Sequence, residues 1–368
     1  MNVASKRDAI LMIDDNEEVL SGLVGALAPL LANDDVDINT WQPSDADGEP
    51  QDAFEARLEG RTILVVTDYD LTTRGLRGLF GVSIVAWSQA AAIPVGDFSR
   101  GLKKVLPKEP NLFELRVPPT DVEGAEFIAA MYRGFRDIRT ALQANVDLLE
   151  EKRSPAAVLA ALLERPHLES QLAQYITRLG AANSTLVERL RALVDDDVSD
   201  PSALEPLMSY ILGHVVANAV LKFPGPILSS DALAAYCATS SAEADELAGL
   251  FEKALFGGPF SEKGRYYWRD GIDAILSDLA GDMFPEPDES FGDYNRRVVE
   301  AKLGRLLAVH GCERCGGRKG GFWCPFTLRP VCERGDCSVP SSSWIPAGAQ
   351  LARVEREFYD ELAPLLGL

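Results

Sequence analysis

The most constraining feature of the sequence is the stretch at 61–75, RTILVVTDYDLTTRG, where an unbroken apolar or β-branched run ends abruptly in carboxylates. The run covers 62–67 and leads directly into Asp68 and Asp70. A run of this length, followed by acids and a turn, is typical of a buried strand in a parallel sheet. Because open α/β sheets bind ligands at the carboxyl ends of their strands, Asp68 is predicted to lie at a functional site.

The rest of the first third alternates between strand-like and helix-like segments. The predicted strands are the runs 9–13, 36–41, 62–67 and 82–86, with a last one near Val105. The predicted helices are 19–31 and 52–58. Strands that alternate with helices predict a doubly wound parallel sheet, so we expect an α/β domain over 1–117.

Acidic, hydroxyl and basic side chains occur near the ends of four of these predicted strands. Asp14 and Asp15 follow the first strand, and Asp68 follows the third. Ser88 follows the predicted fourth strand, and Lys108 the fifth. Three converging carboxylates repel one another unless a cation shares them, and oxygen ligands suit Mg²⁺. A lysine opposite them would neutralise a further anion, such as a phosphoryl group.

In these features the first third resembles the response-regulator receiver family. The matching pieces are the acidic pair after strand one, TDYDLTTRGL after strand three, a hydroxyl after strand four and a lysine after strand five. The resemblance implies a flavodoxin-like fold with Asp68 as phospho-acceptor and with Mg²⁺ held by Asp14, Asp15 and Asp68. It further implies Ser88 as the switch hydroxyl, Lys108 as the phosphoryl contact, and a histidine kinase as partner.

Two departures from the family pattern leave an alternative open. The spacing between Asp68 and Ser88 is short, which shortens the third helix. The family's lysine precedes a proline, whereas Lys108 follows Pro107. The first domain is therefore either a chemically competent receiver or an inert pseudo-receiver that serves as a scaffold.

The segment 118–199 is predicted to be a helical linker or bundle. Thr120 and Glu123 form a capping-box pattern at its start. A heptad pattern follows, consisting of Ile128, Met131, Phe135, Ile138, Leu142 and Leu149 with the polar Asn145. Such a seam suits an amphipathic bundle helix as well as a dimeric coiled coil, so a homodimer through 128–149 is one of two expectations.

The segment 200–285 is predicted to be winged-helix-like. Its helices at 204–221, 230–237 and 242–255 precede a hairpin with its turn at 262–264. The helix that would enter a DNA groove is acidic, whereas the hairpin carries Lys263, Arg265 and Arg269. Protein contact is therefore favoured over nucleic acid, and a DNA-binding transcription regulator is the alternative.

Two stretches of this segment, FPGPILSSDALAAY and ALFGGPFSEKGRYYWRDGI, also give a looser resemblance. They are similar to the C-terminal parts of receiver proteins found in prokaryotic conflict and phage-defence loci. That resemblance implies a defence effector as a partner.

The segment 286–368 is dominated by a cysteine cluster, since five of the six cysteines fall between 312 and 337. Cys312-x2-Cys315 and Cys332-x4-Cys337 can present four thiolates to a structural zinc ion as a ribbon or knuckle. Cys324, between the pairs, is an alternative ligand. The basic residues around the cysteines form a patch on which an acidic partner or nucleic acid could dock. They are Arg314, Arg318, Lys319, Arg329 and Arg334.

Composition excludes several classes of protein. The formal net charge of −20 repels nucleic acid on average. No apolar run approaches the ~20 residues of a membrane span, and clustered cysteines favour metal in a reducing compartment, so a cytoplasmic protein is expected. No glycine-rich phosphate loop, nucleophile elbow or histidine-containing catalytic group is visible, which predicts a signalling or regulatory protein rather than an enzyme.

Overall fold

The computed structural model describes residues 7–58, 60–71, 79–98, 112–151, 154–176, 184–195, 201–312, 314–316, 320–340 and 345–362. By contacts, the chain forms two compact units. The first comprises 1–106, 111–153 and 185–213, and the second 107–110, 154–184 and 214–368. The contacts group the chain differently from the four predicted segments, because the helix at 121–144 and the segment 185–213 belong to the unit that contains the sheet.

The first unit contains a parallel sheet of five strands in the order β2-β1-β3-β4-β5. The strands are β1 (Asp8–Ile13), β2 (Val36–Trp41), β3 (Thr62–Asp68), β4 (Val95–Phe98) and β5 (Leu115–Arg116). The order 2-1-3-4-5 is one of the two common orders of doubly wound sheets. The predicted α/β architecture is therefore confirmed.

Helices cover both faces of this sheet. They are α1 (Glu17–Leu30), α2 (Pro50–Glu55), α3 (Gly81–Ala90) and α4 (Asp121–Ala144). Alternate strand residues face opposite sides. Leu11, Val65 and Val95 pack with α2 and α3, whereas Asp8 faces the hydroxyl of Tyr132 on α4, and α4 packs against α1.

The segment around 82–86, predicted to be a strand, is helical. Its buried residues Gly81, Ile84 and Ser88 recur at the spacing of one helix face. A short apolar run does not distinguish a strand from a buried helix, which explains the wrong prediction. The fourth strand is instead Val95–Phe98, and the described strand after it is Leu115–Arg116. The strand predicted near Val105 lies outside the described residues.

Helix α4 confirms Thr120 as its N-cap, because the Thr120 side chain accepts a hydrogen bond from the Glu123 N–H. The Glu123 carboxylate accepts from the Thr120 hydroxyl at 2.8 Å. The helix ends at Ala144, and Asn145 is its C-cap. The heptad residues that α4 contains are already buried within the chain and are Ile128, Met131, Phe135, Ile138 and Leu142. A homodimer through 128–149 would therefore have to expose them first.

Short helices complete the first unit and begin the second. They are α5 (Asp147–Glu150), α6 (Pro155–Leu162), α7 (Glu169–Ile176), α8 (Ser184–Asp195) and α9 (Pro201–Val215), which continues as a π-helical turn over Val216–Val220. In the part of the chain that the structure describes, no helix combines the length and the apolar character needed to cross a bilayer.

The second unit places two short helices between paired strands. The elements are β6 (Ile227–Ser229), α10 (Ser230–Tyr236), α11 (Ala244–Leu250), β7 (Tyr266–Trp268), α12 (Arg269–Ala280) and α13 (Phe291–Leu303). Strands β6 and β7 pair antiparallel, and an isolated bridge joins Leu255 to Tyr267. A 3-10 turn at Ser261–Lys263 lies between Leu255 and β7 and overlaps the hairpin turn predicted at 262–264.

The C-terminal part carries two small antiparallel pairs and a last helix. They are β8 (Phe322–Cys324) with β9 (Arg329–Val331), β10 (Ser338–Val339) with β11 (Val354–Glu355), and α14 (Arg356–Leu362). The first hairpin lies between the two cysteine pairs along the chain, and β11 follows them.

Candidate functional site

Two groups of side chains in the described residues are close enough to hold a metal ion, one in each unit. The first group consists of Asp14, Asp15 and Asp68, each of which offers one carboxylate oxygen within 4.8 Å of the others. The second consists of Cys312, Cys315, Cys332 and Cys337, whose sulfurs meet the same limit. Both groups were predicted from the sequence.

The acidic cluster forms because β1 and β3 are neighbours in register. Ile13 is level with Thr67, so Asp14 follows β1 at the level where Asp68 ends β3. Asp14 and Asp15 are 3% and 5% exposed, respectively, whereas Asp68 is half-buried. The side chain of Asp14 accepts the Asn16 N–H at 2.7 Å, which also helps to begin α1.

The carboxylates of this cluster repel one another, and the effect is visible at Asp68. Burial, and then the charge of Asp14, raise the pKa of Asp68 to about 6. The backbone N–H of Tyr69 donates to the Asp68 carboxylate at 2.8 Å and opposes that rise, while the charge of Asp15 adds to it. With a pKa of about 6, Asp68 is largely ionised at neutral pH, although burial and the charges of Asp14 and Asp15 disfavour its ionised form.

Ser88 does not join the acidic cluster, although it was predicted to do so. Helix α3 begins at Gly81, against the backbone of Asp68 and Tyr69. The helix then runs back along the sheet, and the Ser88 carbonyl accepts the Ile93 N–H, just before β4 begins. Ser88 therefore lies near the amino ends of the strands, away from the acidic cluster at their carboxyl ends. Its buried hydroxyl has no described hydrogen-bond partner.

Strand register identifies which residues lie level with Asp68 on the neighbouring strands. On β4 this residue is Phe98. Directly after β5 it is Val117, which follows Arg116, the partner of Asp97, and whose N–H donates to the Asp97 carbonyl. Both are buried and apolar, whereas a hydroxyl and a lysine were expected. Lys108 itself lies outside the described residues, and in sequence it precedes β5 rather than following it.

The cysteine cluster is formed by two turns on either side of the β8–β9 hairpin. In the first turn, the Cys312 carbonyl accepts the N–H groups of Cys315 and Gly316, and Gly316 has a left-handed φ of 57°. In the second turn, which follows β9, the Arg334 carbonyl accepts the Cys337 N–H at 2.9 Å. Three of the four cysteines are buried.

The spacing of two of these sulfurs fits a tetrahedral metal. The Cys315 and Cys332 sulfurs lie 3.6 Å apart. Zinc bonded to sulfur at about 2.3 Å requires sulfurs separated by about 3.8 Å. Burial raises the pKa of Cys337 and of Cys332. The neighbouring sulfurs add to the rise at Cys337, whereas at Cys332 the Arg334 backbone N–H and Cys337 oppose it. A bound metal would therefore have to displace protons. The cluster could thus hold a metal such as zinc.

Cys324, the predicted alternative ligand, is not part of the cluster. It is fully buried in β8, and its sulfur accepts the Glu355 N–H at 3.3 Å. Through this hydrogen bond Cys324 links β8 to β11. A second residue near the cluster, Arg353, could not be found from any sequence pattern. It is buried and donates to the loop that carries Cys332 and Cys337.

Comparisons with protein-family profiles, with curated proteins and with solved structures found no match.

Proposed function

We propose that this protein is a signalling or regulatory protein whose first unit acts as an atypical response-regulator receiver domain. In this proposal Asp14, Asp15 and Asp68 bind Mg²⁺, and Asp68 accepts a phosphoryl group. The observation that carries the proposal is the convergence of these three carboxylates at the carboxyl edge of a 2-1-3-4-5 parallel sheet. Ligands of such sheets bind at that edge.

The chemistry of the cluster supports the proposal. Bound Mg²⁺ would neutralise the carboxylates and the oxygens of an incoming phosphoryl group. Asp68 is the half-buried member, so its carboxylate is the one that a phosphodonor can reach. A carboxylate oxygen would attack phosphorus, and the bond from phosphorus to the donor would break with its electron pair leaving on the donor. The product is an acyl phosphate on Asp68.

A second candidate, an inert pseudo-receiver that serves as a scaffold, is favoured by one specific observation. The described residues level with Asp68, on β4 and just after β5, are the buried Phe98 and Val117, which cannot hydrogen-bond or neutralise a phosphoryl group through their side chains. At these two described positions a phosphoryl group on Asp68 would therefore meet neither the hydroxyl nor the lysine that the family uses. The two candidates differ in whether Asp68 can be phosphorylated at all.

Zinc in the cysteine cluster is proposed as a structural element of the second unit. Four thiolates around zinc leave no open coordination position, so the site would stabilise a ribbon rather than catalyse. The β8–β9 hairpin between the two cysteine turns supports a zinc-ribbon arrangement. The function of this unit would then be to contact a partner, such as a defence effector, when the receiver-like unit is modified.

A winged-helix-like arrangement at 227–268 is a further part of the proposal. It is supported by the order strand, two helices, bridge, turn and strand. DNA binding is not favoured, because described cations of the hairpin already have partners. The Lys263 amine donates to the Ala217 carbonyl at 3.2 Å, and Arg265 lies 3.8 Å from the Asp245 carboxylate. We therefore propose protein contact for this segment.

The phosphorylation test uses the full chain with a small phosphodonor, acetyl phosphate, and Mg²⁺. Intact-mass analysis should detect one added phosphoryl group on the wild type and none on Asp68→Asn. Asp70→Asn is the matched control, since Asp70 is an exposed carboxylate two residues away, and it should still be labelled. No label on the wild type would overturn the phospho-acceptor role and leave the scaffold, whereas equal labelling of Asp68→Asn would place the acceptor elsewhere.

A further inference from the structure

Arg353 is a buried cation whose described hydrogen bonds all go to uncharged oxygens. It is 9% exposed, and its Nε donates to the Ser338 hydroxyl at 2.6 Å. One of its terminal nitrogens donates to the Glu333 carbonyl at 3.0 Å and lies 3.4 Å from the Ser338 carbonyl. Within the described part of the chain no carboxylate forms an ion pair with Arg353. Glu333, whose charge raises the pKa of Arg353, is exposed.

A buried charge without an opposite charge is costly, so its presence calls for a compensating group. Burial lowers the pKa of Arg353, while the charges of Glu333 and Cys332 act in the opposite direction. Stacking of the guanidinium over the Phe322 ring, at 5.1 Å from the centroid, adds an attraction but no net charge. The carboxylate that acts on Arg353, Glu333, is exposed and therefore screened by solvent, so the described residues supply no buried counter-charge.

The described hydrogen-bond partners of the Arg353 guanidinium all belong to the stretch 332–338, which carries two cysteines of the cluster. Ser338, which accepts from Arg353, donates its own hydroxyl to the Cys332 carbonyl at 2.6 Å. The backbone N–H of Arg356 donates to the Cys337 carbonyl at 2.8 Å, and β10 pairs with β11. The guanidinium is therefore linked to Cys332 through one side chain, and the backbone three residues after Arg353 is hydrogen-bonded to Cys337.

We propose that Arg353 is the buried counter-charge of the metal-loaded cysteine cluster and the residue that positions its second cysteine turn. Four thiolates around a divalent ion form a doubly negative complex, and a guanidinium in the same low-dielectric surroundings offsets part of that charge. The hydrogen bonds through Ser338 and Glu333 hold Cys332 and Cys337 in place, as outer-shell partners do at metal sites. This inference rests on the proposed zinc binding.

Two variants separate the charge from the hydrogen bonds. Arg353→Met removes both, whereas Arg353→Lys keeps the charge and loses the planar set of N–H donors of the guanidinium. Arg329→Met is the matched control, because Arg329 belongs to the same basic region but is exposed and lies 3.9 Å from the Glu355 carboxylate. Zinc affinity is measured on the full chain by competition with a chromophoric chelator, and site geometry by the absorption bands of bound Co²⁺.

We expect Arg353→Met to weaken zinc binding by about 10- to 100-fold, the usual effect of losing an outer-shell partner. Arg353→Lys should recover part of that loss, and Arg329→Met should bind zinc as the wild type does. Zinc affinity of Arg353→Met equal to that of the wild type would overturn the proposal. A lysine variant as weak as the methionine variant would overturn the counter-charge and leave only positioning.

A second readout distinguishes a counter-charge from a residue that merely stabilises the fold. The rise in Tm on adding zinc should be smaller in Arg353→Met than in the wild type, while the metal-free proteins should unfold at similar temperatures. A fall in Tm that is equal with and without zinc would contradict the proposal. If Arg353→Met does not fold, Arg353→Lys and Ser338→Ala take its place, and unchanged zinc affinity in both would overturn it.

The experiment also separates this inference from the zinc proposal beneath it. A wild type that binds no zinc overturns both. A wild type that binds zinc, together with Arg353 variants that bind it equally well, overturns only the role of Arg353.

Discussion

The acidic cluster and the cysteine cluster are both candidate metal sites, but they differ in donor atoms and in closure. The cysteine cluster has four thiols, three of them buried, and the separation of the Cys315 and Cys332 sulfurs matches the edge of a tetrahedron around zinc. The acidic cluster has three carboxylates, and Asp68 is half-buried beside the exposed Tyr69 and Asp70. A closed thiolate site can only stabilise structure, whereas an open carboxylate site can bind a further reactant.

The two clusters also differ in how the chain assembles them. The cysteines lie within one short stretch and are brought together by two local turns and a hairpin. The carboxylates come from β1 and β3, which are distant in sequence and meet only in the folded sheet. Perturbing the sheet should therefore impair the acidic site and spare the cysteine site, while removing a cysteine should do the reverse.

The largest effect is expected for Cys332→Ser. Loss of one thiolate should abolish tight zinc binding and unfold the region that the metal holds, because binding free energy at structural zinc sites is folding free energy. Elemental analysis should find one zinc per wild-type chain and almost none in the variant. Cys324→Ser is the control, since Cys324 lies outside the cluster, and its zinc content should stay at the wild-type level. Equal zinc loss in both variants would contradict the assignment.

A smaller effect is expected where the sheet edge meets α3. A Cβ on Gly81 would overlap the backbone carbonyl of Asp68, so Gly81→Ala should destabilise the protein by about 1–3 kcal/mol and weaken Mg²⁺ binding. Gly25, in α1, has open space around it, so Gly25→Ala should stabilise by about 0.5–1 kcal/mol. Urea unfolding measures both. A stabilising Gly81→Ala would refute the described approach of α3 to Asp68.

A further effect concerns pH and Asp68 in protein kept free of Mg²⁺. Its pKa is raised from 3.8 to about 6, so the folded state binds its proton more tightly than the unfolded state does. The contribution of Asp68 to stability is present below about pH 4 and is lost as pH rises through 6. Asp68→Asn should thus be more stable than the wild type at pH 7, with the difference shrinking toward pH 4; partial exposure of Asp68 limits its size.

Thermal unfolding of both proteins across that pH range measures the difference. A wild type more stable than Asp68→Asn at pH 7 in the absence of divalent cations would contradict the described repulsion among the three carboxylates.

The smallest effect is expected for Ser88→Ala. Its hydroxyl is buried in α3 without a described hydrogen-bond partner, so removing it should be neutral or should stabilise by up to about 1 kcal/mol. It should leave Asp68 labelling by a phosphodonor unchanged, because Ser88 lies at the other edge of the sheet. A loss of labelling in Ser88→Ala, with stability intact, would restore Ser88 to the role expected from the receiver resemblance.

Several features were predictable because they depend on local pattern. The first three strands and α1 follow from apolar runs and helical spacing, and the four cysteines follow from their spacing. Asp14, Asp15 and Asp68 could be grouped because parallel strands share an edge. In each case one simple geometric rule connects sequence and position.

Other features could not be predicted, for physical reasons that particular residues illustrate. The run around Val82–Ala86 is buried whether it is a strand or a helix, so its apolar character did not decide between them. Because of that error, Ser88 was predicted at the wrong ends of the strands. Phe98 and Val117 were not predicted to lie level with Asp68, since their positions depend on strand register. Arg353 acquires its surroundings only through tertiary pairing of β10 with β11.

The central proposal, that the acidic cluster binds a divalent cation, is tested most directly by calorimetric titration of Mg²⁺ into the dialysed full chain. We expect one site in the wild type. In Asp68→Asn its affinity should fall by at least about tenfold, which corresponds to about 1.4 kcal/mol. Asp70→Asn should bind as the wild type does. No Mg²⁺ binding by the wild type, or equal affinity in Asp68→Asn, would contradict the claim.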